Sequence, residues 1–205
     1  MSGPRIFTVP GGDLSDTSFA EAAALVHAGR LVAFPTETVY GLAADATNPS
    51  AIERLNRVKG RPPEKPYSLH LHEAAQVRML VSSVPPMAQR LMDRFWPGPL
   101  TIVMPGKDGN TLGFRLPQHP VAQAFLRACG RPVVAPSANR SGFPPPTDAN
   151  EVLAALDGDC DALIDNGPTP LGRESTVVQV TGDRLDILRE GALSAEQLRA
   201  ALHAP

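Results

Sequence analysis

Ser18-Phe-Ala-Glu-Ala-Ala-Ala-Leu-Val-His-Ala-Gly-Arg-Leu-Val-Ala-Phe-Pro-Thr-Glu-Thr38 is the stretch whose reading decides the fold. Apolar residues recur at helical spacing from Ser18 to His27, and Gly29 supplies a C-terminal cap. Leu31-Val-Ala-Phe34 then reads as a buried strand, ended by Pro35, which has no N–H for a ladder. A helix running straight into an apolar strand is the joint of an α/β protein. The polar Thr36-Glu-Thr38 follows where that strand stops. In open α/β sheets the ligand crevice lies beyond strand ends, so polar groups placed there are expected to face a ligand.

Outward from this joint the pattern continues. Asn48-Pro49 is an N-cap followed by proline at the first helical position, and Ile52, Leu55 and Val58 form the inner stripe of a helix that delivers Lys59 and Arg61 at its C-terminal end. Strands are predicted over Tyr67 to Leu71, Leu100 to Met104, Leu112 to Leu116, Val133 to Ala135 and Ala162 to Ile164. Helices are predicted over Glu73 to Val81, Pro86 to Phe95, Pro120 to Cys129 and Asp148 to Leu156, the last with an Asp cap. Thr176 to Val180 and Leu185 to Leu188 make a hairpin about Gly182-Asp183. Ser194-Ala-Glu-Gln197 has capping-box spacing and opens a final helix through Leu202. The order mixes βα units with adjacent strands, so the expected architecture is a partly parallel, partly antiparallel sheet with helices against it. The 205 residues make one expected domain, 1–205, with no linker composition, internal repeat or low-complexity segment to divide it.

The net charge of -2 argues against a protein that holds nucleic acid by bulk electrostatics, although a local basic patch is compatible with it. Cys129 and Cys160 lack the spacing of a zinc site and read as buried thiols. The N-terminus has no apolar signal region and no stretch reaches the roughly 18 apolar residues of a membrane span, so a cytoplasmic protein is expected. The 22 prolines, about twice the ordinary ~5% usage, cluster between periodic segments as rigid loops able to hold binding groups in place before a ligand arrives.

Lys59, Arg61, Lys65, Arg115 and Arg189 point to an anionic ligand. Arg offers a planar fork for phosphate or carboxylate and Lys a compact charge, which suits a triphosphate. The same residues near a helix end also complement its dipole. His70 and His72 share a strand face and can chelate a metal, but no third ligand is evident, and a histidine that hydrogen-bonds substrate or supports the fold fits as well. Ser137 lacks the Gly-x-Ser-x-Gly elbow and a base partner, so its expected role is a hydrogen bond to phosphate, with Asn139 and Ser141 either assisting or shaping the turn. There is no P-loop and no Gly-x-Gly-x-x-Gly fingerprint. Glu37 and Glu174 can orient cations, assist Mg or cap loops.

The motifs Pro35-Thr-Glu-Thr-Val-Tyr-Gly-Leu42, Lys59-Gly-Arg-Pro62, Lys65-Pro66, Trp96-Pro-Gly-Pro-Leu-Thr101, Ala135-Pro-Ser-Ala-Asn139, Glu174-Ser-Thr-Val177 and Ile187-Leu-Arg189, in this order over residues 15–192, resemble the YrdC/Sua5 family. The resemblance implies that family's twisted α/β sheet, mixed parallel and antiparallel, with flanking helices around a concave, positively lined cavity. It implies synthesis of L-threonylcarbamoyl-AMP from L-threonine, bicarbonate or CO2, and ATP, with release of diphosphate. The product serves N6-threonylcarbamoyladenosine modification of tRNAs reading codons that begin with A, through a downstream threonylcarbamoyl transferase complex.

Carried over by motif, Thr38, His70, Arg115, Ala135 and Ser175 match L-threonine positions. Lys59, Arg61, Lys65, Thr111, Ser137, Pro145 and Arg189 match ATP positions, and Asn139 is a supporting one. Lys65 stands where some relatives carry Asn. Mg is expected with ATP, without a dedicated protein metal site and without a covalent nucleophile. The chain stops about a dozen residues after Gly191, so the short single-domain form is expected, with its final helix at 194–203. A contact with tRNA or double-stranded RNA, a noncatalytic RNA-binding module and a paralogue making another carbamoyl adenylate remain the alternatives.

Overall fold

The computed structural model describes residues 3–9, 11, 17–62 and 64–203. In chain order the elements are β1 (Arg5–Thr8), α1 (Ser18–His27), β2 (Val32–Phe34), β3 (Gly41–Asp45), α2 (Pro49–Lys59), β4 (Ser68–His70), α3 (Val77–Leu80), α4 (Pro86–Phe95), β5 (Leu100–Pro105), β6 (Thr111–Arg115), α5 (Pro120–Cys129), β7 (Val133–Val134), α6 (Ala149–Leu156), β8 (Ala162–Asp165), β9 (Thr176–Thr181), β10 (Arg184–Arg189) and α7 (Ala195–His203). The strands among the described residues form one sheet in the order β1-β8-β2-β3-β7-β4-β6-β5-β9-β10. The pairs β1/β8, β8/β2, β4/β6 and β5/β9 are parallel, and the others are antiparallel. This is the expected mixed sheet with helices against it.

The local signals act as read. Gly29, at φ +75, closes α1, with its N–H bonded to Val26 O and that of Arg30 to Leu25 O. The Asn48 side chain accepts from Ser50 N and Ala51 N at the start of α2. Asp148 accepts from Glu151 N before α6. Ser194 and Gln197 make the reciprocal pair of a capping box ahead of α7, Gln197 N donating to Ser194 Oγ and Ser194 N to Gln197 Oε1.

One reading needs correction, and two strands went unread. The helix expected over Glu73 to Val81 is broken: Ala74–Gln76 make a single 3-10 turn and only Val77–Leu80 is α-helical. Val77 and Val81 are its buried apolar positions, too narrow a stripe to stabilise a longer helix. β1 and β3 escaped the sequence reading altogether. Gly41-Leu-Ala-Ala-Asp45 has poor strand propensity, yet every residue of it is buried between β2 and β7, so packing decides its conformation.

Period-two alternation divides the core between the two faces of the sheet. Ala33, Leu42 and Ala44 join a large cluster with α2, α4, α6 and α7, whereas Val32, Phe34 and Ala43 join a second one with α1 and α5. Beyond β7, on the α1/α5 side, the sheet carries polar and small residues instead.

Candidate active site

The register aligns side chains in rows across this uncovered face. His70, Arg115, Thr101 and Val177 lie on neighbouring strands in one row, and Ser68, Gly113, Val103 and Gln179 in the next. Their chain neighbours Leu69, Phe114, Ile102 and Val178 point the other way into the core. Gly113 leaves the centre of the floor bare, since a Cβ there would come within 2.6 Å of Ser68 Oγ. Phe34 meets the His70 ring edge-on at 6.3 Å, where the apolar half of the face gives way to the polar half. The result is a cavity of about 400 Å³ whose floor is the sheet face, within the size range of small-molecule sites. The expectation of a crevice past strand ends is therefore corrected: the floor runs along β4, β6, β5 and β9.

One wall is the C-terminal end of α2. Gly60, in the left-handed region at φ 58, terminates the helix and turns Lys59 inward. Lys59 Nζ donates to Ser137 O at 2.6 Å and Asn139 O at 2.7 Å, tying the helix to the Ser137 loop. Burial, with the nearby Arg61 charge adding to it and Glu174 opposing it, pushes the Lys59 ammonium down to about 8. Arg61 donates to Lys65 O and Pro66 O and lies over the Tyr67 ring at 4.7 Å. The facing wall carries Arg189, which donates to Glu174 Oε1 at 2.8 Å and Ser175 O at 2.9 Å. Ser175 Oγ lies 2.9 Å from Thr101 Oγ1.

At the deep end, Arg115 Nη2 donates to Thr38 Oγ1 at 2.6 Å and pairs with Glu37 Oε1 at 3.0 Å, both side chains of the ion pair being almost fully buried. Thr36 Oγ1 and Thr38 Oγ1 are themselves 2.9 Å apart. The carboxylates thus have definite places among the roles left open for them: Glu37 orients Arg115, and Glu174 orients Arg189.

His70 Nδ1–H donates to Ser68 O at 3.4 Å. Burial first, and the Arg115 charge second, push the ring down to about 3, so it is neutral in the folded protein. An unfolded histidine titrates near 6.5. Between about 6.5 and 3 the unfolded chain therefore binds a proton that the native state refuses, and stability falls as pH drops through that window. His70→Gln should lose less stability than the parent protein between pH 7 and pH 4, measured by urea unfolding at both. An equal loss would show that His70 titrates alike in both states.

The cavity collects Lys59, Arg61, Lys65, His70, Thr111, Arg115, Ala135, Ser137, Ser175 and Arg189 from the sequence-based set. Thr38 stands behind it, bonded to Arg115. Asn139 is buried and braces its own loop by donating to Arg140 O and Phe143 O. Pro145 is not brought to this cavity; it lines a separate depression with Phe143 and residues of α6. Sequence reasoning missed Thr101, Val103, Gly113, Val177 and Gln179 as lining residues. Alternation along β5, β6 and β9 was the available signal, but it separates two faces without telling which one stays open.

The sequence profile of the Sua5/YciO/YrdC family, described as telomere recombination, matches residues 24–191. The chain belongs to this family. It is 42% identical over 198 residues to the threonylcarbamoyl-AMP synthase of Bacillus subtilis, covering 92% of this chain and 57% of that protein. The Pyrococcus abyssi Sua5 structure complexed with L-threonine superposes with a TM-score of 0.91 at 37% identity, over 97% of this chain and 61% of the other. Escherichia coli YciO gives a TM-score of 0.85 at 26% identity, over 95% and 99% of the two chains. The chain spans little more than half the length of the first two relatives.

Proposed function

We propose that this chain is an L-threonylcarbamoyl-AMP synthase, joining L-threonine, bicarbonate or CO2, and ATP with release of diphosphate. The observation that carries the reading is the meeting in one cavity of Arg115, His70 and Ser175 at one end with Lys59, Arg61, Lys65, Ser137 and Arg189 around the rest. The names of its relatives and the L-threonine held by the P. abyssi protein support the same assignment.

The chemistry needs groups of these types. The threonine amine, once neutral, adds to CO2: an N–C bond forms and the amine loses a proton, giving N-carboxythreonine. A carbamate oxygen then attacks the α-phosphorus, and the bond to the departing diphosphate breaks. Both partners are anionic, so Arg115 at the carboxylate and Arg61, Lys65 and Arg189 at the phosphates would offset their repulsion and hold them in line. No covalent intermediate on the protein is required. ATP enters as its Mg complex, the metal travelling with the substrate. In this reading the adenylate is consumed by a threonylcarbamoyl transferase in N6-threonylcarbamoyladenosine formation on tRNA in the cytoplasm. Among the described residues no helix is long and apolar enough to cross a membrane.

The reading is tested by diphosphate release with ATP, Mg and bicarbonate, with and without L-threonine, using serine as control and mass spectrometry to identify the adenylate. Threonine-dependent release with threonylcarbamoyl-AMP supports it. No product from folded, ATP-binding protein overturns it in favour of a noncatalytic RNA-binding module or a paralogue. Within this reading Ser175→Ala raises KM for threonine about tenfold while largely sparing ATP, the size of one lost hydrogen bond. Arg61→Ala shows the opposite bias. Equal losses of both substrates in Ser175→Ala would overturn this division of the cavity.

A further inference from the structure

We propose that Thr101 is a positioning residue that sets the direction of the Ser175 hydroxyl proton, and through it the hold on the amino-acid substrate. The inference rests on the reading of the cavity as a threonine site. Thr101 sits in the floor on β5, buried, opposite Arg115 on β6 and Val177 on β9. Its hydroxyl meets Ser175 Oγ at 2.9 Å.

Each hydroxyl has one proton and two lone pairs. Ser175 Oγ is approached from two sides, by Thr101 Oγ1 and, at 3.4 Å, by Arg189 Nη2. The guanidinium can only donate. Were Ser175 to donate to Thr101, its proton would be held within the pair and Ser175 would offer the substrate no donor. With Thr101 donating instead, both Ser175 lone pairs are occupied by donors. The Ser175 proton is then free to turn into the cavity, towards the carboxylate or carbamate of the substrate. Thr101 thereby acts on the substrate through Ser175, and Ser175 joins the Arg115 row of the floor to Arg189 on the wall.

The test is calorimetric titration of L-threonine and, separately, ATP into the parent protein, Thr101→Val, Thr101→Ser, Ser175→Ala and the Thr101→Val/Ser175→Ala double variant. Valine keeps the shape and removes the hydroxyl. Thr101→Val should weaken L-threonine binding about five- to tenfold, the scale of one hydrogen bond, and leave the ATP affinity within about twofold. Thr101→Ser, which restores the hydroxyl, should recover most of the loss. In the Ser175→Ala background the valine should have no further effect, because the group it acts through is gone. Unchanged threonine binding in Thr101→Val, or the same loss with Ser175 absent, overturns the inference alone. A parent protein that binds no L-threonine overturns the inference together with the functional reading beneath it.

Discussion

Arg115→Met should destabilise the folded protein by about 3–5 kcal/mol, the range for stripping one member from a buried ion pair. Arg115 and Glu37 lie 3.0 Å apart with side-chain exposures of 6% each. Both Glu37 carboxylate oxygens are buried without a hydrogen bond, so the guanidinium charge is what makes that carboxylate tolerable. Methionine fills the space and leaves the anion alone. The second half of the prediction separates this cause from lost packing: Arg115→Met/Glu37→Gln should regain most of the stability, because replacing both charges removes the uncompensated one. Urea unfolding of the two variants checks it. A single variant within about 1 kcal/mol of the parent would mean that the pair behaves like an exposed salt bridge. Under the proposed function neither variant regains L-threonine binding, since the double one restores the fold and not the carboxylate partner.

Gly191→Ala should be nearly as damaging for a steric reason. A Cβ at residue 191 would lie 2.3 Å from Glu174 O and 2.5 Å from both Ser175 C and Ser175 O. These are backbone atoms and no side-chain rotation can clear them. The crossing is also fastened, with Gly191 N donating to Thr176 Oγ1 at 2.9 Å and Ala192 N to Glu174 O at 2.9 Å. The added methyl must therefore push the Glu174-Ser175 segment, which carries part of the cavity wall. Overpacking of this kind costs about 1–3 kcal/mol, and more where the backbone must move. The expected result is a lower unfolding midpoint together with weaker binding of both L-threonine and ATP, because Ser175 and the Glu174–Arg189 pair shift as one piece. Parent-like stability and binding would show that the two segments separate freely.

Much of this was legible in the residues. The α1–Gly29–β2 joint, the Asn48, Asp148 and Ser194 caps and the β9–β10 hairpin each depend on a few neighbouring side chains, and each stands where expected. β3 was hidden because Gly41-Leu-Ala-Ala-Asp45 is made a strand by its partners and not by its own propensity. Glu73 to Val81 looked helical because propensity overstates a segment with only two buried apolar anchors. Most of the site residues could be named from motif and charge, whereas Thr101 and Gly113 could not be placed, being ordinary strand residues until one face is known to stay bare.

The sequence by itself determined most of the element types, with their caps and breaks, the two-sided alternation of the strands and the kinds of polar group available. These follow from interactions spanning a turn or two of chain. Only the tertiary structure decided that α1 and α5 stop short of β4, β6, β5 and β9, so that one sheet face becomes a cavity floor. It likewise decided that His70, Arg115 and Ser175, distant in the chain, converge there with Thr38 bonded behind them, that Glu37 pairs with Arg115, and that burial holds His70 neutral. Strand pairing and desolvation depend on what the whole chain places around a residue, and no local pattern encodes that.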